Sequence, residues 1–223
     1  MAKSNSEYIP ELDQARVAAE ITRRKLALTH LLDFVHDVWW NPHPFHVGIH
    51  TRIIANRITR AIDDFRAGKS TFLCATVPFR HGKSDMISRA LPPFFIGACS
   101  ETEPDVICSG YGADLVKKFS RKAKMIVQSD EYKRLFGHVR LSRTKRTDAH
   151  WKVDYQKNNR WRESMGDVTV SGLGGALTGS GYHLGIIDDF CKNRKEAESE
   201  TFRDATWESF ANDFMTRRAP TSI

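Results

Sequence analysis

The sequence predicts an α/β fold in which a mostly parallel sheet is covered by helices on both faces and is preceded by an N-terminal helical segment. Apolar residues recur at helical spacing in residues 45–65. Compact β-rich runs at 71–77, 105–111 and 183–190 alternate with helical patterns, and this alternation is typical of a parallel sheet. The chain has 223 residues, which is enough for one sizeable α/β domain and its core.

The first part of the chain is predicted to be helical. Residues 11–40 have an apolar side and a basic, solvent-facing side, so they are predicted to form a helix. The prolines of Asn-Pro-His-Pro at 41–44 end that helix, and a second helix is predicted over 45–65. Ala-Gly-Lys-Ser at 67–70 is predicted to be a turn.

The predicted core, residues 67–223, follows the predicted N-terminal helical segment, residues 1–66. Its first half is predicted to contain a strand at 71–77, a helix at 84–95 stopped by Pro92 and Pro93, a strand at 105–111, a helix at 113–129 and a short helix at 130–137 closed by Gly137. Its second half is predicted to contain a basic loop at 141–152, strands at 151–156 and 167–172 around a turn at 157–160, a glycine-rich run at 172–181, a strand at 183–190 and a charged helix at about 195–214.

Composition indicates a basic protein of a reducing compartment. Lys and Arg number 34 and Asp and Glu 27, so the formal net charge is +7. This charge favours a polyanionic partner, although an inert basic surface gives the same count. Cys74, Cys99 and Cys108 lie in apolar surroundings and are predicted to be buried, Cys191 follows a predicted strand, and no C-x-x-C pair occurs. This pattern favours a reducing cytosol over a disulfide framework.

The sequence lacks the usual signals for insertion into a membrane or for secretion. It contains no run of about 18 apolar residues, so no membrane span is expected. The first 14 residues lack an apolar core, so no secretory signal is expected there either.

Residues 78–84, Pro-Phe-Arg-His-Gly-Lys-Ser, end like a phosphate-binding loop, whose usual pattern is G-x-x-x-x-G-K-[ST]. Val77 stands where the pattern has its first glycine. The predicted order of strand, loop and helix is the context that such a loop needs, because backbone N–H groups at a helix N-terminus cradle an anion. We expect Gly82 to allow close approach of a phosphate, Lys83 to reach the β- and γ-phosphates and Ser84 to coordinate Mg²⁺.

Gly-Lys-Ser also occurs at 68–70, where no strand is predicted before it and no clear helix after it. We interpret this copy as a turn, because short motifs arise by chance and need their structural context. A helix N-terminus that carries the same triplet by chance is the alternative interpretation of residues 82–84.

Two aspartates at the end of the predicted strand 183–190 are the second feature of a nucleotide hydrolase. Asp188 is expected at the carboxyl end of this apolar strand, where ligands bind in open α/β sheets. We interpret Asp188 as the carboxylate on the Mg²⁺ side and Asp189 as the candidate general base. An Asp-Asp turn after a core strand is the alternative, and the preceding phosphate-binding loop favours the catalytic interpretation.

Taken together, several segments resemble the large subunit of terminases, the DNA-packaging motors of tailed phages and herpesviruses, and specifically the phage branch. Residues 77–85 resemble that branch's loop, usually Pro-Pro-Arg-His-Gly-Lys-Ser. Residues 109–137 resemble its Ser-Tyr-then-helix block. Residues 172–199 resemble its glycine-rich run, its Ile-Ile-Asp-Asp strand and its following Glu-Ala-x-Ser.

The resemblance implies a P-loop NTPase-type sheet and an ATPase that uses Mg²⁺ and drives double-stranded DNA into a viral procapsid. It implies that Lys83 and Ser84 bind phosphate and Mg²⁺ and that Asp188 and Asp189 form the acidic pair. The implied catalytic residues are Asp189, Lys83 and Arg80, with Arg80 touching the γ-phosphate. The implied nucleotide-binding residues are Pro78, Phe79, Arg80, His81, Gly82, Lys83, Ser84, Asp85 and, in either a structural or an adenine-side role, His50.

Two departures from the family pattern affect these expectations. Ser180 stands where family members often have an arginine that is thought to serve a neighbouring subunit. Another arginine would then be needed, and the candidates are Arg121, Arg143, Arg146, Arg160 and Arg162. Family members also continue into a nuclease domain, which is not expected in this chain.

The resemblance also implies partners and a location. The implied partners are the portal protein and the small terminase subunit, and no membrane is implied. The chain is expected to form a homo-oligomeric ring on the procapsid and to be a monomer in isolation. The implied location is the host bacterial cytoplasm, with transient residence at the portal vertex. The basic stretches 117–124 and 140–146 are candidates for DNA contact or for solvated charged faces. Two rival functions are a small-molecule kinase and a non-catalytic DNA-binding module with a vestigial loop.

Overall fold

The described part of this computed structural model, residues 11–39, 44–78, 80–175 and 181–223, contains an open sheet of five strands with helices packed against it. The strands are β1 (Val106–Gly110), β2 (Val139–Arg146), β3 (His150–Lys157), β4 (Arg160–Gly172) and β5 (Leu184–Asp188). The helices are α1 (Glu11–Thr29), α2 (Leu31–Asp37), α3 (Ile49–Arg66), α4 (Leu91–Ala98), α5 (Ala113–Gln128), α6 (Asp130–Leu135), α7 (Arg194–Glu198) and α8 (Glu200–Glu208). Single π-helical segments cover Asp85–Ala90 and Ser209–Phe214.

The strand order is β2-β3-β4-β1-β5. β1 pairs in parallel with β4 on one side and β5 on the other, whereas β3 is antiparallel to both β2 and β4. Among the described strands, therefore, four run in one direction and only β3 runs in the other. This confirms the predicted α/β class and the mostly parallel sheet.

Helical segments contact both faces of β1. Val106 and Cys108 point into the main core, whereas Ile107, between them, packs with Tyr182 and Phe214 in a smaller cluster. This alternation follows from the period of two in a strand. Phe214 belongs to the second π-helical segment, so the C-terminal helices cover the second face.

The N-terminal helices share the main core with the sheet. Phe34 of α2 is fully buried, and its ring centre lies 5.2 Å from that of Phe94, 6.2 Å from that of Tyr132 and 6.0 Å from that of Phe136. Aromatic rings at these separations add to the free energy gained by burial alone. The packing of α2 therefore fixes where the helices after the loop sit.

The predicted strands around the turn at 157–160 are confirmed as the β3–β4 hairpin. Asn158 and Asn159 have φ values of +50° and +59°, the left-handed conformation that a two-residue type I′ turn requires. Asparagine adopts this conformation more readily than other side chains do, so the sequence Lys-Asn-Asn-Arg fixes the hairpin register.

The prediction of a basic loop at 141–152 is wrong, because most of these residues belong to β2 and β3. β2 is the edge strand of the sheet, and its residues 143–146 are exposed. Charged side chains are common on an edge strand because they discourage pairing with other chains. The run of exposed charges therefore hid the strand periodicity.

The prediction of a strand at 71–77 is also wrong, because these residues have no regular secondary structure. Thr71 N–H donates to the carbonyl of Ser222 at 3.0 Å, and within the described residues no backbone hydrogen bond involves residues 72–77. The free edge of β5 is occupied at its start, where Ile223 bonds to His183 and Gly185. A strand forms only with a partner edge, so the apolar run remains unpaired beside the sheet.

The exposure of Cys74 follows from this missing strand. Cys74 was predicted to be a buried thiol, but it is exposed, because its segment does not enter the sheet. Cys99 and Cys108 are buried as predicted, and burial raises the pKa of each thiol to about 12.

The helix predicted at 84–95 is not stopped by its prolines. Helical structure begins at Lys83 and continues through the π-helical segment into α4, which ends at Ala98. Pro92 and Pro93 occupy the first positions of α4, where a missing N–H and a fixed φ are tolerated. The wider π-helical turn just before them accommodates the change in hydrogen bonding.

Two long predicted helices are each divided in two. The helix predicted at 11–40 breaks at His30, which has an extended conformation between α1 and α2. The helix predicted at about 195–214 breaks at Ser199, whose hydroxyl accepts from Phe202 N–H and so begins α8. Serine at this position satisfies a free N–H at the helix start, which favours a new helix over continuation.

Replacing Phe34 with alanine is expected to lower the free energy of unfolding by about 3–5 kcal/mol, because it leaves a cavity among three aromatic rings. Ile21→Ala on the exposed side of α1 is the control and is expected to change it by about 0.5 kcal/mol or less. Chemical denaturation of both variants measures the difference. Equal effects would contradict a core shared between α2 and the sheet.

Candidate functional site

The predicted phosphate-binding loop lies between the unpaired segment 72–77 and the helical stretch that begins at Lys83. Within it, Arg80 and Gly82 have φ values of +63° and +76°. The carbonyl of Gly82 accepts from Met86 N–H at 3.1 Å, which starts the helix directly after the loop. A side chain at Gly82 would adopt a strained, left-handed backbone conformation, so glycine is favoured there.

The two aspartates lie at the carboxyl end of β5. Asp188 is the last residue of the strand and pairs with Gly110 of β1, and Asp189 follows with a φ of +60°. The carbonyl of Asp189 accepts from Tyr111 N–H at 3.0 Å, so β1 fixes the backbone of the acidic pair. This position is the edge at which open α/β sheets bind ligands.

Lys83 joins the loop to the acidic pair. Its Nζ lies 2.7 Å from Oδ1 of Asp189 and 3.1 Å from Oδ1 of Asp188. The side chain of Asp188 is only 6% exposed, whereas that of Lys83 is 23% exposed and that of Asp189 is 40% exposed. The structure thus brings Lys83 into contact with a pair of adjacent aspartates that lie just over 100 positions later in the sequence.

The environment favours the charged forms of Asp188 and Lys83. Burial alone would raise the pKa of Asp188, but hydrogen bonds with Ser88, Ser84 and Lys83 outweigh it and hold this pKa below its usual value. Burial alone would lower the pKa of Lys83, but its bonds to Asp189 and Asp188 outweigh it and raise this pKa.

Two cavities meet at Lys83. One, of about 870 Å³, is lined by the loop from Arg80 to Asp85 and by Asp189. The other, of about 600 Å³, is lined by Lys83 and by residues of α3 that include His50 and Ile53. Both also touch the unpaired segment 73–77 and residues of β5, and the two neighbouring cavities are together called the cleft.

His50 contacts the loop directly. Its Nε2 donates to the carbonyl of His81 at 3.1 Å, and the two imidazole rings stand edge to face with their centres 5.3 Å apart. His50 therefore braces the loop from the side of α3, and it also lines the 600 Å³ cavity.

The predicted Mg²⁺ ligands Ser84 and Asp188 are neighbours. The Ser84 hydroxyl is close enough to lower the pKa of Asp188 by hydrogen bonding. Hydroxyl and carboxylate oxygens are the hard donors that Mg²⁺ takes. The cation beside Asp188 in this structure is the Lys83 ammonium, so the site already accommodates positive charge.

Some predicted residues do not join this cluster. Phe79 and Ser180 lie outside the described residues. Arg121 pairs with Asp148 at 2.7 Å and Arg162 pairs with Glu103 at 2.6 Å. Within the described parts of the chain, none of the five arginines proposed as replacements for a family arginine lines either cavity.

Sequence reasoning missed Ser88. Its hydroxyl donates to Oδ2 of Asp188 at 2.7 Å, and both side chains are buried. Ser84 and Ser88 are four residues apart and so lie on one face of a helix, a spacing that could have indicated a shared contact.

No protein-family model matches this chain, and no curated protein matches it. In the ranges that the structure describes, no helix combines the length and the apolar character needed to cross a membrane.

Asp188→Asn is expected to lower the free energy of unfolding by about 1.5–3 kcal/mol, measured without nucleotide or divalent cations. The buried carboxylate accepts from Ser88 and Lys83, and an amide would set an NH₂ group against an ammonium. Asp130→Asn removes an exposed carboxylate paired with Lys133 at 2.9 Å and is the control, for which a smaller loss is expected. Equal losses would show that Lys83 is not held by a buried charge.

Proposed function

We propose that this chain is a Mg²⁺-dependent ATPase domain. The proposal rests on one contact. Lys83, the lysine of the Gly-Lys-Ser loop at the start of a helix, bonds to two aspartates at the carboxyl end of β5. A lysine that reaches phosphates and an acid at the end of a neighbouring strand are the two parts that loop-type nucleotide hydrolases require.

Each residue has a separate role in the proposed reaction. Lys83 binds the β- and γ-phosphates, and Arg80 in the loop adds positive charge at the γ-phosphate. Ser84 and Asp188 would hold Mg²⁺, which when bound neutralises charge on the phosphates. Asp189, which is more exposed than Asp188, orients the attacking water and accepts its proton.

ATP binding requires Lys83 to exchange partners. In this structure its ammonium is bonded to both aspartates, so the positive charge meant for phosphate is already compensated. Phosphate oxygens would replace the carboxylates at Nζ, and the carboxylates would become free to act on Mg²⁺ and water.

The 600 Å³ cavity is the proposed adenine side. It shares Lys83 with the larger cavity, and α3 lines it with His50 and isoleucines such as Ile53, which is half exposed. Apolar walls with a few polar groups are typical of sites for planar ligands.

The proposed ATPase activity is expected to appear as Mg²⁺-dependent phosphate release, measured with and without duplex DNA. Lys83→Ala is expected to lower kcat/KM by about 10²–10³-fold, because it removes the cation at the phosphates. Asp189→Asn is expected to lower kcat by about 10²–10⁴-fold and to retain binding of a fluorescent ATP analogue, because it removes the base and leaves Lys83 in place.

Lys69→Ala is the matched control for these variants. It changes the lysine of the second Gly-Lys-Ser, which lies on the surface and pairs with Asp64 at 3.6 Å, and wild-type rates are expected. Absence of phosphate release by the wild type under every condition would exclude an ATPase. Release that persists in Lys83→Ala would exclude this site, and ADP formation only with a small-molecule acceptor would favour a kinase.

We further propose that the ATPase belongs to a DNA-packaging terminase, as the resemblance in its motifs implies, and that duplex DNA is its partner. Charge distribution supports this proposal. Residues 113–162 contain 15 Lys and Arg and 5 Asp and Glu, a net charge of +10, whereas the rest of the chain carries −3. Lys124 of α5 bonds to the carbonyls of Arg146 and Thr147, so this helix contacts the end of the edge strand, and the two elements together are called the basic region.

Replacing Arg143 and Lys145 together with alanine is expected to weaken binding of duplex DNA. The slope of log K against log salt is expected to fall by about two, since each phosphate contact contributes about one. Arg16→Ala on α1, outside the basic region, is the control. Binding is measured by fluorescence anisotropy at several salt concentrations. Because no nucleotide is added, the result does not depend on the ATPase activity. An unchanged slope in the double variant would contradict DNA contact by β2.

The proposed assembly follows the same resemblance. It consists of a homo-oligomeric ring at the portal vertex of a procapsid in the host bacterial cytoplasm, with the portal protein and the small terminase subunit as further partners. The isolated form of this chain is expected to be monomeric.

A further inference from the structure

Ser88 fixes one of the two carboxylate oxygens of Asp188. It lies on the helical stretch that follows the loop, one turn after Ser84, and its hydroxyl donates to Oδ2 at 2.7 Å. Both side chains are almost fully buried, so water does not compete for this bond. The other oxygen, Oδ1, lies 3.1 Å from Lys83 Nζ.

The two oxygens of Asp188 therefore have different surroundings. Oδ2 accepts from the buried hydroxyl of Ser88, whereas Oδ1 lies beside the Lys83 ammonium, which faces the cleft. Rotation of the carboxylate that brought both oxygens to a metal ion would break the bond to Ser88. A buried hydroxyl without a partner costs about 1–3 kcal/mol, so such rotation is disfavoured.

We propose that Ser88 is a positioning residue that makes Asp188 a one-oxygen ligand and so favours Mg²⁺ over Ca²⁺ in the nucleotide site. This inference rests on the proposed ATPase function. Mg²⁺ requires close to octahedral geometry and is held by single oxygens of one or two carboxylates together with phosphates and water. Ca²⁺ accepts more oxygens in looser geometry and often takes both oxygens of one carboxylate.

The experiment titrates Mg²⁺ and Ca²⁺ into the full chain and measures equilibrium binding of a fluorescent ADP. Ser88→Ala is expected to raise the half-saturating Mg²⁺ concentration by about 10–100-fold, the usual effect of removing a hydrogen bond that orients a metal ligand. The half-saturating Ca²⁺ concentration is expected to rise much less, so the preference for Mg²⁺ falls. Ser88→Thr retains the hydroxyl and is expected to retain the preference.

Ser120→Ala is the matched control. Ser120 is also a buried helical serine, but its hydroxyl accepts from the indole Nε1 of Trp151 at 2.9 Å, away from the cleft, so both metal titrations should match the wild type. Ser88→Cys keeps the size of the side chain with a weak donor and serves if Ser88→Ala does not fold. It is expected to lose the preference as well.

Three results would overturn the inference. The first is an unchanged Mg²⁺ midpoint in folded Ser88→Ala or Ser88→Cys, and the second is an equal rise for both metals, which would indicate general destabilisation of the site. In either case the wild type still binds nucleotide and the ATPase proposal stands. The third is a wild type that binds no nucleotide with either metal, which would overturn both proposals.

Discussion

Lys83 joins the beginning of a helix to the end of a strand, and the geometry of the candidate site depends on that contact. Asp188 is buried, and a buried carboxylate without a partner would destabilise the fold. The Lys83 ammonium and the hydroxyls of Ser84 and Ser88 together compensate it. Because all three donors lie within six residues at the end of the loop and the start of its helix, the charge of one aspartate sets where the loop lies relative to the sheet.

The parts of the site that could be predicted from the sequence are those encoded locally. Asp188 was placed at a strand end because an apolar run precedes it, and Lys83 was placed just before a helix because residues 78–84 match the end of a phosphate-binding loop. Their direct contact was not predicted as such, and the structure places Nζ of Lys83 3.1 Å from Oδ1 of Asp188. Ser88 was missed because its four-residue spacing from Ser84 is only a weak signal until their shared partner, Asp188, is known.

The parts of the fold that could not be predicted depend on pairing between distant segments. Residues 71–77 are apolar and β-rich, but the edge that would accept them is held at its start by Ile223, about 150 residues away. The reverse error was made for β2, a strand that was predicted to be a loop. Its exposed charges are typical of a loop, and only its pairing with β3 makes it a strand. Hydrophobic periodicity reports burial on one face, and neither segment has that pattern.

The aromatic contacts of the N-terminal helices also limit how the molecule can be divided. Phe34 packs among Phe94, Tyr132 and Phe136, and Phe65 of α3 lies 5.0 Å from Phe95, ring centre to ring centre. A cut after residue 66 would leave apolar surface uncovered on both fragments, and such surface promotes aggregation. The N-terminal helices therefore cannot be transferred alone to another protein. The recipient would also need the aromatic residues against which they pack.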